Sequence, residues 1–150
     1  MKINAKYFGM ISYEENDTIF LPSGLFGFEA YTKYLLIPFE EGDCLMFSLQ
    51  SLENPELSFI LLDPFKIVPD YKPNPSAKEL HSLNLEDPAD LAFFVISTIR
   101  DPLSSSTLNL KAPLGLNRSN HKARQFMLDQ SDYTFRHRLD CFVKKEDPEC

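Results

Sequence analysis

The side chains with the widest chemical reach in this sequence are its histidines, cysteines and paired acids. His81, His121 and His137 stand apart, and no H-x-H or H-E-x-x-H spacing places two imidazoles on one metal. His137 and Cys141 are four positions apart and would share a helix face, but Arg136 and Arg138 flank the histidine and would repel a divalent cation. Asp132, His137 and any of several serines supply the residue types of an acyl-transfer triad, without the local sequence that marks one. The pairs Glu14-Glu15 and Glu40-Glu41 sit beside turn residues. A catalytic dyad needs burial to split its pKa values, and solvated turn acids lack it. No phosphate-cradling G-x-x-x-x-G-K-[ST], G-x-G-x-x-G after a strand or G-x-S-x-G occurs. The sequence therefore implies no enzyme, no cofactor and no metal site.

Two segments have the form of nucleic-acid contacts. Gly24-Leu25-Phe26-Gly27 matches G-x-x-G, but Pro22 precedes it and Glu29 follows, with no Lys or Arg after the loop until Lys33. A structural turn fits it better, with glycine supplying a positive φ or a close approach. Arg118-Ser119-Asn120-His121-Lys122-Ala123-Arg124 is basic but has no interleaved aromatics on which bases could stack. It reads as a solvated hairpin tip. The formal net charge of −7 argues in the same direction, because affinity for nucleic acid comes from neutralising phosphates. An acidic chain is suited instead to a protein partner, and a basic one in particular. Net charge also serves simple solubility.

The elements that position these residues are short. A chain of 150 residues, 43% of them hydrophobic, can bury a core as one domain without staples. Eleven prolines against five glycines indicate many short elements with stiff connections. Strands are expected at Ile3–Ser12, Thr18–Leu21, Tyr34–Phe39, Leu45–Ser51, Leu57–Leu62, Phe93–Ile99, Leu114–Asn117 and Gln125–Leu128. A helical turn is expected within Phe28–Lys33. Ser76-Ala77-Lys78-Glu79 is a capping box, so Ser76–Leu83 is the best helix. Asp87-Pro88 offers a second N-cap. The fold class expected is mainly β: a small, closed or nearly closed antiparallel barrel with one or two short helices. The domain should span 1–140, followed by a charged tail, 141–150.

Cys44, Cys141 and Cys150 are odd in number and lack C-x-x-C spacing, so no disulfide framework follows and functional silence is expected. Met-Lys-Ile-Asn-Ala-Lys has no apolar signal-peptide core, and no apolar run approaches the ~18 residues of a membrane span. The expectation is a cytoplasmic protein with reduced thiols and no membrane partner. Charge is uneven. Tyr34–Phe65 holds six acids (Glu40, Glu41, Asp43, Glu53, Glu56, Asp63) and no Lys or Arg, whereas Thr107–Lys145 holds eight bases and three acids.

Four segments in order resemble the FliW family. Phe20-Leu21-Pro22-Ser23-Gly24-Leu25-Phe26-Gly27-Phe28-Glu29 is similar to F-P-x-G-L-P-G-F-E, with Leu21 inserted and Phe26 in place of the second Pro. Leu49-Gln50-Ser51-Leu52-Glu53-Asn54-Pro55-Glu56-Leu57, then Phe59 and Asp63-Pro64, resembles L-Q-S-L-E-D-P followed by an apolar strand and D-P. Pro69-Asp70-Tyr71 leads into the helix. Thr107-Leu108-Asn109-Leu110-Lys111-Ala112-Pro113-Leu114-Gly115-Leu116-Asn117 is similar to T-x-N-L-x-A-P-I-x-x-N. Tyr133, Arg136, His137 and Leu139 match the family's C-terminal pattern, so the likeness covers Met1 to Leu139.

The resemblance implies a β-barrel-like flagellar assembly factor that regulates by binding. Its expected partners are the RNA-binding repressor CsrA and flagellin, exchanged in a switch that relieves repression of flagellin translation. Such a switch is linked competition and needs no chemistry. Expected interface residues are Glu40, Glu41 and Asp43, then Glu53, Asn54 and Glu56, and Asp70 with Tyr71. Tyr71 is either an exposed anchor or a cap on the barrel core. Two other readings stay open: a small enzyme of unrecognised type, which a pocket at Asp132, His137 or Cys141 would favour, and a general chaperone for secreted chains, which a large exposed apolar patch would favour.

Overall fold

The computed structural model describes residues 1–40, 45–129 and 131–139. Glu41, Asp43, all three cysteines and the expected tail 141–150 lie outside them.

The chain begins with a hairpin, β1 (Lys2–Ala5) and β2 (Gly9–Ser12), where a single strand was expected. Lys6-Tyr7-Phe8 reverses the chain, and Gly9 closes the turn at φ +68, a conformation that costs glycine nothing. β1 alternates exposed and buried, with Ile3 and Ala5 turned inward, while β2 remains largely exposed.

Four strands then follow as antiparallel neighbours or near neighbours: β3 (Ile19–Phe20), β4 (Lys33–Pro38), β5 (Met46–Ser51) and β6 (Ser58–Leu62). The expected helical turn before β4 is a pair of tight turns, Phe28 N–H to Leu25 O (2.8 Å) and Tyr31 N–H to Phe28 O (3.1 Å). Helix α1 (Ala77–His81) follows the full capping box: Ser76 Oγ accepts the Glu79 N–H at 3.2 Å, and Glu79 Oε1 accepts the Ser76 N–H at 3.2 Å. Asp63 and Asp87 each cap a 3₁₀ turn that begins with proline.

β7 (Leu91–Thr98) is the longest strand and the seam of the molecule. One edge pairs β6 over Val95–Ser97. The other edge pairs β8 (Thr107–Leu108) and, further along, β9 (Leu114–Asn117). β9 turns through Arg118–His121 into β10 (Lys122–Gln125), which touches β3 in parallel at Lys122↔Phe20. A short β11 (His137–Arg138) edges β8. The ring β7-β6-β5-β4-β3-β10-β9 thus returns to β7, and the sheet closes as a barrel. Closure removes most free edges, as the expected architecture requires.

β10 starts earlier than the expected strand. Lys122 and Arg124 face outward and Ala123 and Gln125 inward, so the alternation is carried by weakly apolar residues. Phe126 and Leu128 continue along Pro113 and Lys111 through backbone bonds of 2.8 and 2.9 Å. The interior holds two clusters. Ile19, Leu21, Leu25, Tyr34, Leu49, Leu61, Leu114 and Leu116 fill one; Leu62, Val68, Tyr71, Val95, Leu108, Leu110, Leu128 and Leu139 fill the other.

Candidate protein-docking surface

β5 decides how the expected acidic residues are distributed. Its N-terminal end receives the β4–β5 connection, where Glu40 is exposed; Glu41 and Asp43 lie outside the described residues. Its C-terminal end leads into Glu53-Asn54-Pro55-Glu56. Six residues of strand at about 3.3 Å each put Glu40 and the Glu53–Glu56 loop roughly 20 Å apart, at opposite ends of β5. The sequence reads the acids as one patch; among the described residues the strand sets Glu40 apart from Glu53 and Glu56. Asp70 is exposed, and its segment follows β6, whose last residue Leu62 pairs with Met46, so it belongs with Glu40.

The Glu53–Glu56 loop is built by its neighbours. Ser51 Oγ accepts the N–H groups of Glu53 (3.1 Å) and Asn54 (3.0 Å), and Asn54 Oδ1 accepts that of Glu56 (3.1 Å). Fully buried Gln50 lies beneath. Its Nε2 is within reach of the carbonyls of Ser51, Pro55 and Leu57 at 3.0, 3.0 and 3.2 Å, and its Oε1 accepts the Lys6 N–H at 2.8 Å. The Gln-Ser pair of the L-Q-S-L-E motif is therefore a bracket that presents the acids on a fixed frame. Glu53 also has structural work, since Oε1 accepts the Thr32 and Lys33 N–H groups at 2.7 and 3.2 Å. Glu56 is exposed.

Of the two places expected for Tyr71, it takes the barrel core. It is 3% exposed, its hydroxyl donates to Leu110 O at 2.6 Å, and its ring stacks edge-on to Tyr133 at 4.8 Å. Burial, and then Tyr133, push its phenol pKa upward. The acids that made Tyr71 look like an anchor belong to the exposed turn before it. Tyr34 is likewise fully buried, and its hydroxyl has no hydrogen-bond partner. Burial first, then Glu53 and Tyr31, push its pKa up to about 12.

Two further buried polar groups, Asn117 of the fourth segment and Gln125 of β10, also hold backbone. Asn117 Nδ2 donates to Leu83 O (2.9 Å), tying β9 to the end of the α1 segment, and Gln125 Oε1 accepts the Phe26 N–H (2.8 Å). At Gly24, φ is +65 and a Cβ would lie 2.6 Å from the Glu29 backbone, so the G-x-x-G loop closes as a structural turn. The sequence did not show that this loop exposes aromatics: Phe26 is 47% and Phe28 38% exposed, and Phe20 at the end of β3 is exposed as well. Phe28 leans edge-on against Phe59 at 5.0 Å.

His137 Nδ1 is engaged by Thr134, at 3.0 Å from its N–H and 2.8 Å from its hydroxyl. Cys141, its expected neighbour, lies outside the described residues. Among the described residues no group of three His, Cys, Asp or Glu is arranged to hold a metal, and no helix is long and apolar enough to cross a membrane.

A family model described as FliW protein matches residues 2–139. The chain belongs to the FliW family. The flagellar assembly factor FliW of Caldanaerobacter subterraneus subsp. tengcongensis is 37% identical over 91% of both chains. Those of Shouchella clausii and Geobacillus kaustophilus are 35% and 34% identical, covering 91% and 93% of this chain and 92% and 95% of their own. A crystal structure of the flagellar assembly factor FliW superposes with a TM-score of 0.86 at 32% identity, covering 93% of this chain and 96% of that one. The barrel is thus the FliW fold.

Proposed function

We propose that this FliW-family chain is a cytoplasmic flagellar assembly factor that works by binding proteins and not by catalysis. It binds the CsrA-type RNA-binding repressor and flagellin in turn, so that flagellin in the cytoplasm releases the repressor, and flagellin export frees the chain to hold the repressor again and relieve repression of flagellin translation. The observation that supports this reading best is the Glu53–Glu56 loop. It is exposed and acidic, and the buried Gln50 amide fixes it from beneath. A preorganised acidic loop lowers the ordering cost of meeting a basic partner. The Glu40 end supplies a second acidic contact about one strand length away, a spacing suited to an extended or dimeric basic surface.

The test is titration calorimetry of the chain against purified repressor, with and without saturating flagellin. Binding that flagellin abolishes is the expected result. Binding to neither protein overturns the reading.

A further inference from the structure

The acidic loops leave the basic run Arg118–Arg124 without a role, and the fold builds a cleft from its second half. Strand alternation turns Lys122 and Arg124 to the same outer face of β10, about 7 Å apart along the strand. The segment Ser76–Asn84, which carries α1, lies across them. Arg124 Nη1 donates to Ser82 Oγ at 3.2 Å, and Lys122 Nζ donates to Asn84 Oδ1 at 3.0 Å. Both anchors are neutral, and among the described residues neither cation meets a carboxylate. The acids of the flanking segments are held elsewhere: Glu79 accepts from Ser76 and from the Met127 N–H, and Glu29 accepts the Gly27 N–H.

A cleft of about 90 Å³ lies between these cations and the Pro22-Ser23 turn, lined by Pro22, Ser23, Ser82, Lys122, Ala123 and Arg124. Among the described residues no acid lines it; Glu86 and Asp87 follow beyond Asn84 and stay outside it. Ser82 Oγ donates to Glu79 O at 2.6 Å, so it orients Arg124 and has no proton left for the cleft. Ser23 is exposed, and its hydroxyl is unengaged among the described residues. Each cation spends one N–H on its anchor and keeps the rest as donors. Two like charges held side by side repel. An oxyanion between them removes that repulsion and takes charge-assisted bonds from both. The parallel pair Lys122↔Phe20 also sets the exposed Phe20 ring on the same outer face, next to Lys122.

We infer that this cleft binds a side-chain carboxylate of a protein partner, with Lys122 and Arg124 as paired cations, Ser23 as a hydroxyl donor and Phe20 as the contact for an apolar neighbour of that acid. A lone carboxylate feels the two nearby cations, whereas a polyanion such as RNA also meets the net charge of −7. A basic partner is repelled here and suits the acidic loops instead. Of the two proteins proposed above, flagellin is therefore the one assigned to the cleft. This assignment rests on the partner-switch reading and adds that the two partners meet different surfaces, the repressor at the ends of β5 and flagellin on the outer face of β10.

The experiment is titration calorimetry of flagellin and of repressor against the wild type and a variant carrying Lys122→Gln and Arg124→Gln, each at low and high salt. The expected result is flagellin affinity at least about tenfold lower in the variant and less sensitive to salt, with repressor affinity within about twofold of wild type. Lys122→Arg keeps the charge and should hold flagellin within about threefold of wild type. Flagellin affinity and salt dependence unchanged in the double variant overturn the cleft and leave the partner switch standing. So does equal weakening of both proteins, which marks damage to the fold. A fluorescent single-stranded RNA that binds the wild type and not the variant gives the cleft to a phosphate and overturns the protein carboxylate. Binding of neither protein overturns both readings. Should the double variant fail to fold, Lys122→Glu decides: the one bond it breaks is to exposed Asn84, and flagellin affinity unchanged by that reversal overturns the cleft.

Discussion

Two buried polar side chains, Gln50 and Tyr34, have opposite consequences for stability. Gln50 engages both its amide oxygen and its amide nitrogen, bonding Lys6 after β1 and the Ser51–Leu57 turn between β5 and β6. Gln50→Ala leaves several buried backbone groups without partners and is expected to cost about 2–4 kcal/mol, read by urea denaturation. Tyr34 carries a buried hydroxyl with nothing to bond. Tyr34→Phe removes that group and should be neutral or stabilising by up to about 1 kcal/mol. The two also differ in pH dependence. The folded Tyr34 pKa, about 12, lies above its ordinary value of 10.0, so the unfolded chain loses its proton first as pH rises. Its stabilising share is complete below about pH 10 and is lost as pH climbs toward about 12. Denaturation midpoints at about pH 8 and about pH 11 should therefore fall less in Tyr34→Phe than in the wild type. Tyr71→Phe differs again. It removes the bond to Leu110 O and should cost about 1–3 kcal/mol while leaving partner binding unchanged.

At the scale of elements, the acidic loops separate presentation from contact. Glu53 holds the backbone entering β4, so charge reversal there damages folding as well as binding. Glu56 and Glu40 lie exposed at opposite ends of β5. Glu56→Lys and Glu40→Lys should each leave the unfolding midpoint within about 0.5 kcal/mol of wild type and slow repressor association, most clearly at low salt. Unchanged association for both, measured by stopped flow, removes the acidic loops from the interface. Helix α1 is short enough that its cap governs it. Ser76→Ala should cost about 1 kcal/mol and free the α1 segment that Glu79 ties to the Met127 N–H.

At the scale of the molecule, closure through β7 makes the barrel one continuous frame that carries the loops. If the cysteines are silent, a variant with Ser at 44, 141 and 150 folds and binds both partners as the wild type does. Loss of binding in that variant, measured by the same calorimetry, would refute the expectation.

The order of elements and the family were legible in the residues. Runs such as Tyr34–Phe39 and Phe93–Ile99 are too apolar and β-branched for anything but buried strands, and S-x-x-E before Leu80 marks a helix start whatever surrounds it. These are local signals, carried by propensity and capping. Four decisions were not local. The Ile3–Ser12 run folds back because Gly9 reverses it, and the alternation of β10 was hidden in Ala123 and Gln125. Whether Tyr71 faces solvent depended on Leu110, thirty-nine residues away, accepting its hydroxyl bond. Whether Glu40 and Glu56 share one patch depended on the length of β5. Exposure and separation are properties of pairing between distant strands, and only the closed barrel defines them.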